Sequence, residues 1–190
     1  MDDVLSLFQQ TGAILDGHFL LSSGLHSPRY VQCALVLQYP ENATWLGERL
    51  AGYFTSFDAQ AVVAPAIGGI LVGHEVARAL GVRAMFAERK QGRMQLRRGF
   101  RLRPGERVVV VEDVVTTGES LSEVVHIARD LGADVVGVGA LLNRSRSEFL
   151  TIGLPLQALL TLPIPVYRPD ECPLCQQGIP LDAPGTKQSV

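Results

Sequence analysis

Lysine is almost missing from this chain: among its 190 residues only Lys90 and Lys187 are lysines. Neither stands in the Gly-x-x-x-x-Gly-Lys-Ser/Thr context of a Walker-type phosphate loop, which excludes that class of nucleotide site. An excess of charge of one sign is missing too, because 17 basic residues oppose 19 acidic ones, and this balance gives no global attraction to nucleic acid or to an anionic membrane. Cysteine is scarce and odd in number, at Cys33, Cys172 and Cys175, so no disulfide framework is expected and a reducing compartment fits. No uncharged apolar run is long enough to span a bilayer, and Asp2 and Asp3 argue against a secretory or transit segment. The expectation is a cytoplasmic protein with neither membrane nor nucleic acid as partner. A dinucleotide fingerprint is also incomplete: Gly137-Val138-Gly139 lacks its third glycine and lies inside a strand pattern.

What is present concentrates between Arg107 and Ser120, Arg-Val-Val-Val-Val-Glu-Asp-Val-Val-Thr-Thr-Gly-Glu-Ser. Arg107 to Val111 is a near-continuous β-branched run without alternation, which predicts a strand covered on both faces, as in a parallel sheet. Two acids follow, Glu112 and Asp113, then a turn of hydroxyls and glycine. Glu119 to Leu131 then carries apolar residues at helical spacing (Leu121, Val124, Val125, Ala128, Leu131). A helix N-terminus preceded by Thr116, Thr117 and Gly118 offers unpaired backbone N–H groups, hydroxyls and a favourable dipole end, which suits a phosphate monoester. Carboxylates one turn away would repel that phosphate. They must face donors or cations instead: sugar hydroxyls, or the water shell of a divalent metal. A sugar phosphate satisfies both halves.

Along the chain, Asp2 to Gln10 predicts a short helix with Val4, Leu5 and Phe8 inward and Gly12 as its stop. Gly17 to Gly24 and Ser27 to Leu37 read as two extended runs, a hairpin-like flap outside the main sheet. Pro40 to Phe54 predicts a helix with Pro in its opening turn. From Ala61 the pattern becomes regular, with strands at Ala61–Ala66, Arg83–Glu88 and Asp134–Leu142 and a helix at Gly69–Leu80 around the central strand and helix. Such alternation means βαβ units, hence an α/β fold with a mainly parallel central sheet flanked by helices. Gly68-Gly69, at a strand's carboxyl end, allows a tight turn close to a second anion. Leu156 to Leu162 is a last strand, and the Pro-rich stretch Pro163–Pro184 is expected to wrap the outside. One domain is expected, with an N-terminal helix and flap over 1–39, the core over 40–150, and a final strand and tail over 151–190. Cys172-Pro-Leu-Cys175 has half of a zinc-ribbon spacing, but no second Cys or His pair accompanies it nearby, so it reads as a tight turn carrying thiols.

Val109 to Ser120 resembles the phosphoribosyl-diphosphate signature of the type I phosphoribosyltransferases, in which hydrophobic residues lead into two acids and a Thr-Thr-Gly or Thr-Ala-Gly loop. The resemblance implies that family's fold, with a small hood made by the N-terminal segment and the C-terminal tail. It implies that Glu112 and Asp113 hold the ribose hydroxyls and that Val114, Val115, Thr116, Thr117, Gly118, Glu119 and Ser120 surround the 5′-phosphate. Mg2+ would be the cofactor, bound largely by substrate oxygens, with the two acids supporting its water shell and no protein group bound to it directly.

The run Phe19–Tyr30, Phe-Leu-Leu-Ser-Ser-Gly-Leu-His-Ser-Pro-Arg-Tyr, is similar to the opening of the branch that acts on orotate. That resemblance implies an orotate pocket made by Ser23, Gly24, Tyr30, Thr116 and Arg144, with Arg146 a competing arginine. Arg89, Lys90, Arg93, Arg97, Arg98, Arg101, Arg103 and Arg107 crowd one segment. Within it Arg89, Lys90, Arg93 and Gln95 resemble a mobile catalytic loop that holds diphosphate and is shared between the subunits of a homodimer. Where many members carry Lys and then His, this chain has Arg93 and Gln95, and the flap position often filled by Lys is Ser22. Arg93 would join Glu112 and Asp113 as a catalytic group by stabilising charge, because arginine is a poor proton donor. Two other readings stay open at this point: a purine phosphoribosyltransferase, and a phosphoribosyl-diphosphate-sensing regulator on the same fold.

Overall fold

The computed structural model of the chain describes residues 2–21, 23–145 and 153–184; Ser22 and Arg146 lie outside them. Helix α1 (Asp2–Gln10) buries Val4 and Phe8, one turn apart, and the chain reverses at Gly12. Strands β1 (Ile14–Leu20) and β2 (His26–Val31) pair antiparallel as a sheet of their own, the expected flap. The extended run expected as far as Leu37 is corrected. The chain leaves β2 at Val31, and Ala34–Leu37 forms a helical turn, α2, that buries Val36 and Leu37. A four-residue apolar run fits either state, and here packing against the next helix decides it. That helix, α3 (Pro40–Ala51), has Pro in its first turn and continues as a 3-10 turn through Phe54.

The main sheet follows: β3 (Ala61–Pro65), α4 (Gly69–Leu80), β4 (Arg83–Lys90), β5 (Arg93–Leu96), β6 (Arg107–Val115), α5 (Glu119–Asp130), β7 (Asp134–Asn143) and β8 (Leu156–Thr161). Its strand order is β5-β4-β3-β6-β7-β8, parallel except for β5. Burial on β6 explains the non-alternating valines. Val109 and Val111 enter a core shared with α3 and α4 (Leu46, Leu50, Phe54, Val72, Val76), while Val108 and Val110 enter a second core under α5 (Leu121, Val124, Val125). A strand covered on both faces has no polar side. Gly137 and Gly139 lie in β7 against the Phe54 ring, where an added Cβ would come within 2.8 and 2.9 Å of ring carbons. They are a packing socket and not a nucleotide loop.

Two further corrections concern the strands. The segment read as a loop over residues 89–98 is largely a hairpin, because β5 pairs with the end of β4 across Gln91-Gly92, both at positive φ, the geometry of a tight two-residue turn. The acids also lie within β6 and not beyond it, since pairing with β7 continues to Val115↔Asn143 and keeps the backbone extended.

The Pro-rich tail, expected to wrap the outside, pairs with the flap. His26 and Tyr167 exchange backbone hydrogen bonds at 2.8 Å, Leu20 N–H donates to the Asp182 carbonyl at 2.7 Å, and Asp182 N–H donates to the His18 carbonyl at 2.8 Å. A short helical turn, α6 (Pro173–Gln176), carries Cys175. Here the expectation of an unaccompanied Cys pair is overturned: His18 of β1 and His26 of β2 bring ring nitrogens into one cluster with the Cys172 and Cys175 sulfurs. Among the described residues no helix is long and apolar enough to cross a membrane.

Candidate active site

In an open parallel sheet the ligand crevice lies at the carboxyl ends of the strands, where the winding direction reverses. That point falls between β3 and β6, because the chain moves from β3 to β4 on one side and returns through β6 to β7 on the other. A cavity of about 260 Å³ opens there, lined by the residues from Glu112 to Ser120. Gly118, at φ 79°, turns the chain from the strand into α5. A left-handed residue at that point leaves the first N–H groups of the helix facing the crevice. The Glu119 N–H leans on Thr117 Oγ1 at 3.4 Å, while both threonine residues are exposed. From the other side comes the turn after β3. A Cβ at Gly68 would meet the Asp113 carboxylate at 2.4 Å, so any larger residue here would displace that acid. A second concavity, of about 300 Å³ among Asp3, Val4, Trp45, Arg49, Tyr53 and Leu159, shares none of these groups.

The acids dominate the electrostatics. Burial, followed by the charge of neighbouring Asp113, pushes Glu112 up to about 8. Burial also raises Asp113, against the lowering effect of backbone N–H groups at Val114 and Asp113. Among the described residues no cation pairs with either carboxylate. Two desolvated acids without a counter-ion suit incoming positive charge or hydroxyl donors, so the residues fit a hydrated divalent ion held over a sugar. Cys33 closes the floor, its thiol donating to the Asp113 carbonyl at 3.7 Å. Burial, then Asp113 and Glu112, raises that thiol well above its usual range, so it stays protonated and inert.

Arg144 follows β7 directly, and its backbone N–H donates to the Val115 carbonyl at 2.9 Å, which sets it beside Thr116. Its guanidinium is partly buried, burial lowers its pKa, and no carboxylate pairs with it among the described residues. Ser23 and Gly24 occupy the exposed turn of the flap, with Gly24 at φ 78°. Tyr30 lies on β2 with its ring 5.7 Å from that of Phe19.

Strand alternation sorts the basic segment. Lys90 lies opposite Arg93, and Glu88 opposite Gln95, on one face of the β4–β5 hairpin; Arg89 lies opposite Met94 on the other. Arg89 is therefore turned to α5, where it pairs with Glu123 at 3.0 Å. The apparent run of free arginines also contracts. Arg97 and Arg98 are both bound by Glu88, and Arg107 donates to the Asp58 carbonyl. Lys90 and Arg93 make no ion pair within 4 Å among the described residues, although Glu88 on the same face feels the Lys90 charge, and like charges set opposite each other favour an anion between them.

Sequence reasoning missed Glu123, Glu88 and the two histidines. Glu123 left a trace, as a polar residue among the apolar positions of α5. Glu88 and the histidines left none, because their partners are set by pairing register and by contacts between the two ends of the chain.

Comparison with known proteins agrees with this geometry. Residues 39–153 match the model of the phosphoribosyl transferase domain. The chain is 51% identical over 187 residues to an orotate phosphoribosyltransferase of Desulforamulus reducens, covering 98% of this chain and 97% of that one. It is 49% identical over 184 residues to the Thermotoga maritima protein of the same name, covering 97% and 98%. Among solved structures, orotate phosphoribosyltransferase from Aeropyrum pernix superposes with a TM-score of 0.71 at 27% identity, over 84% of this chain and 93% of that one. With a strand carrying paired acids into a hydroxyl- and glycine-rich turn at the switch point, and similarity over nearly the full length to these proteins, the chain belongs to the phosphoribosyltransferase family, in its orotate phosphoribosyltransferase branch.

Proposed function

We propose that this chain transfers the phosphoribosyl group of 5-phosphoribosyl 1-diphosphate to N1 of orotate, giving orotidine 5′-monophosphate and diphosphate in pyrimidine nucleotide synthesis. Arg144 carries the choice of base. It is a partly buried guanidinium without a carboxylate partner among the described residues, tied by its backbone to Val115 at the mouth of the phosphate loop. Such a cation calls for an anionic ligand, and a carboxylate matches its planar fork. Orotate has that carboxylate, whereas adenine and hypoxanthine do not. The near-full-length similarity to proteins named for orotate supports the same reading.

In this reading Thr116, Thr117 and Gly118, with the first turn of α5, receive the 5′-phosphate. Glu112 and Asp113 accept hydrogen bonds from the ribose hydroxyls. Once ionised, they stabilise the positive charge that grows on the ribose as its bond to diphosphate stretches. Bound Mg2+ would be held mostly by substrate oxygens over these acids and would neutralise diphosphate charge. Lys90, Arg93 and Gln95 share the outer face of the hairpin and stabilise the departing diphosphate by charge. Arg89, engaged by Glu123, holds the hairpin in place. Tyr30 and the Ser23–Gly24 turn cover the base. The exposed outer face of this edge hairpin suits a homodimer in which it meets the neighbouring subunit's site.

The test is turnover with phosphoribosyl diphosphate and Mg2+, offering orotate, uracil, adenine, hypoxanthine and xanthine separately. Turnover of orotate alone, collapsing in Arg144→Ala, is expected. Turnover of a purine would reassign the base, and tight phosphoribosyl-diphosphate binding without turnover of any base would make the chain a sensor.

A further inference from the structure

The cluster at the flap–tail junction has no part in the chemistry above. Its four ligand atoms lie within 4.8 Å of one another. His18 Nε2 is 3.0 Å from His26 Nδ1, 3.5 Å from the Cys172 sulfur and 3.7 Å from the Cys175 sulfur, and the Cys175 sulfur is 3.3 Å from His26 Nδ1. Tetrahedral zinc bonds of about 2.0–2.1 Å to nitrogen and about 2.3 Å to sulfur put ligand atoms roughly 3.3–3.8 Å apart. Three of these separations, 3.3, 3.5 and 3.7 Å, fall in that window, the His18–His26 pair is slightly shorter, and a small adjustment within the 4.8 Å cluster would complete a tetrahedron.

We propose that His18, His26, Cys172 and Cys175 bind one structural Zn2+ that locks the C-terminal tail onto the N-terminal hairpin. The tautomer supports it. His18 Nδ1 lies 2.8 Å from the Ile179 carbonyl, a contact that requires an N–H at Nδ1 and leaves the lone pair of Nε2 aimed into the cluster. A metal-bound histidine commonly has its other nitrogen fixed to a carbonyl in this way.

The chemistry of the donors selects the ion. Two thiolates and two imidazoles suit zinc and not the oxygen-seeking Mg2+ or Ca2+. Both thiols lose a proton on binding, so two thiolates balance the divalent charge and the buried site is neutral. His18, His26 and Cys172 are 3%, 5% and 0% exposed, and Cys175 caps the outside. Four protein ligands leave no open position, which marks a structural and not a catalytic metal. The need is also visible. A two-stranded hairpin is marginal alone, and this one forms its own sheet, held to the tail by a few backbone hydrogen bonds.

The experiment uses the full chain, produced without a histidine tag, with metal content measured by mass spectrometry and thiols titrated with and without a strong chelator. The expected result is about one zinc per chain, protection of Cys175 until the chelator is added, and a drop in melting temperature on metal removal. Refilling with Co2+ should give the absorption bands of a tetrahedral thiolate site. Cys175→Ser and His26→Ala should each lose zinc, and because the metal is counted in the unaltered protein, a variant that fails to fold does not block the test. Less than about a tenth of an equivalent of zinc after zinc-supplemented growth, with Cys175 reacting at once and the chelator leaving the melting temperature unchanged, would overturn the proposal. So would zinc retained in both variants.

Discussion

The crevice at the end of β6 and the clamp between flap and tail are two ways of assembling chemistry. The first is contiguous: Glu112 to Ser120 supply acids, anion loop and helix start in nine consecutive positions, and their relative placement follows from strand and helix geometry alone. The second joins His18 to Cys172, 154 residues apart, and exists only because the tail pairs with both strands of the hairpin. A contiguous site can be read from its spacing. A site assembled across the chain has no spacing to read.

The sharpest way to test the contiguous site is to remove its charge without changing its shape. Glu112→Gln combined with Asp113→Asn should lower kcat/KM by about a thousandfold, the scale of losing preorganised charge opposite a developing cation, with the circular dichroism spectrum unchanged; activity within tenfold of the parent would remove the acids from the mechanism. Next is Arg144, placed by a neighbouring strand and so partly outside that contiguity. Arg144→Ala should raise the orotate KM about a hundredfold, as expected when a desolvated charge pair loses one partner, while phosphoribosyl-diphosphate binding measured by calorimetry stays within a few-fold.

The hairpin separates contact from positioning. Arg93→Ala should reduce kcat by about tenfold to a hundredfold. Glu123→Gln, acting through Arg89, should cost only a few-fold, and a Glu123 effect equal to that of Arg93 would mean the hairpin's position matters more than its charge.

The smallest effect is a proton. The folded protein holds Glu112 at about 8, above the unfolded value of about 4.3. Between these two values the native state binds more protons than the unfolded chain, so this group's contribution to stability falls as pH rises through the window. Glu112→Gln should flatten that slope in thermal melts. Binding of Mg2+ and phosphoribosyl diphosphate favours the ionised form. Calorimetry in buffers of different ionisation heat should therefore find close to one proton released at about pH 6.5 and far fewer at about pH 9; equal release at both would exclude Glu112 as its source.

The legible part of the fold was the part with strong periodicity. Helices α1 and α4 begin and end where the sequence pattern places them, and β3, β4 and β7 fall within a residue or two of their patterns. Misreadings fell where one sequence suits two states. Ala34–Leu37 became helical under α3, and Arg93–Leu96 became a strand because β4 offered a free edge. The basic segment misled in another way: composition counts arginines, but only register shows that Glu88 holds two of them and Glu123 a third.

By itself the sequence determined the α/β class, the central strand and the contiguous run of acids, hydroxyls and glycine that leads into α5, because each depends on neighbours a few residues away and on the periods of helix and strand. Tertiary structure alone decided which face of the hairpin Arg93 shares with Lys90, how far Glu112 is driven from its ordinary pKa, and that His18, His26, Cys172 and Cys175 meet. Those depend on register, burial and the closing of the chain's two ends, quantities fixed only when distant segments pack.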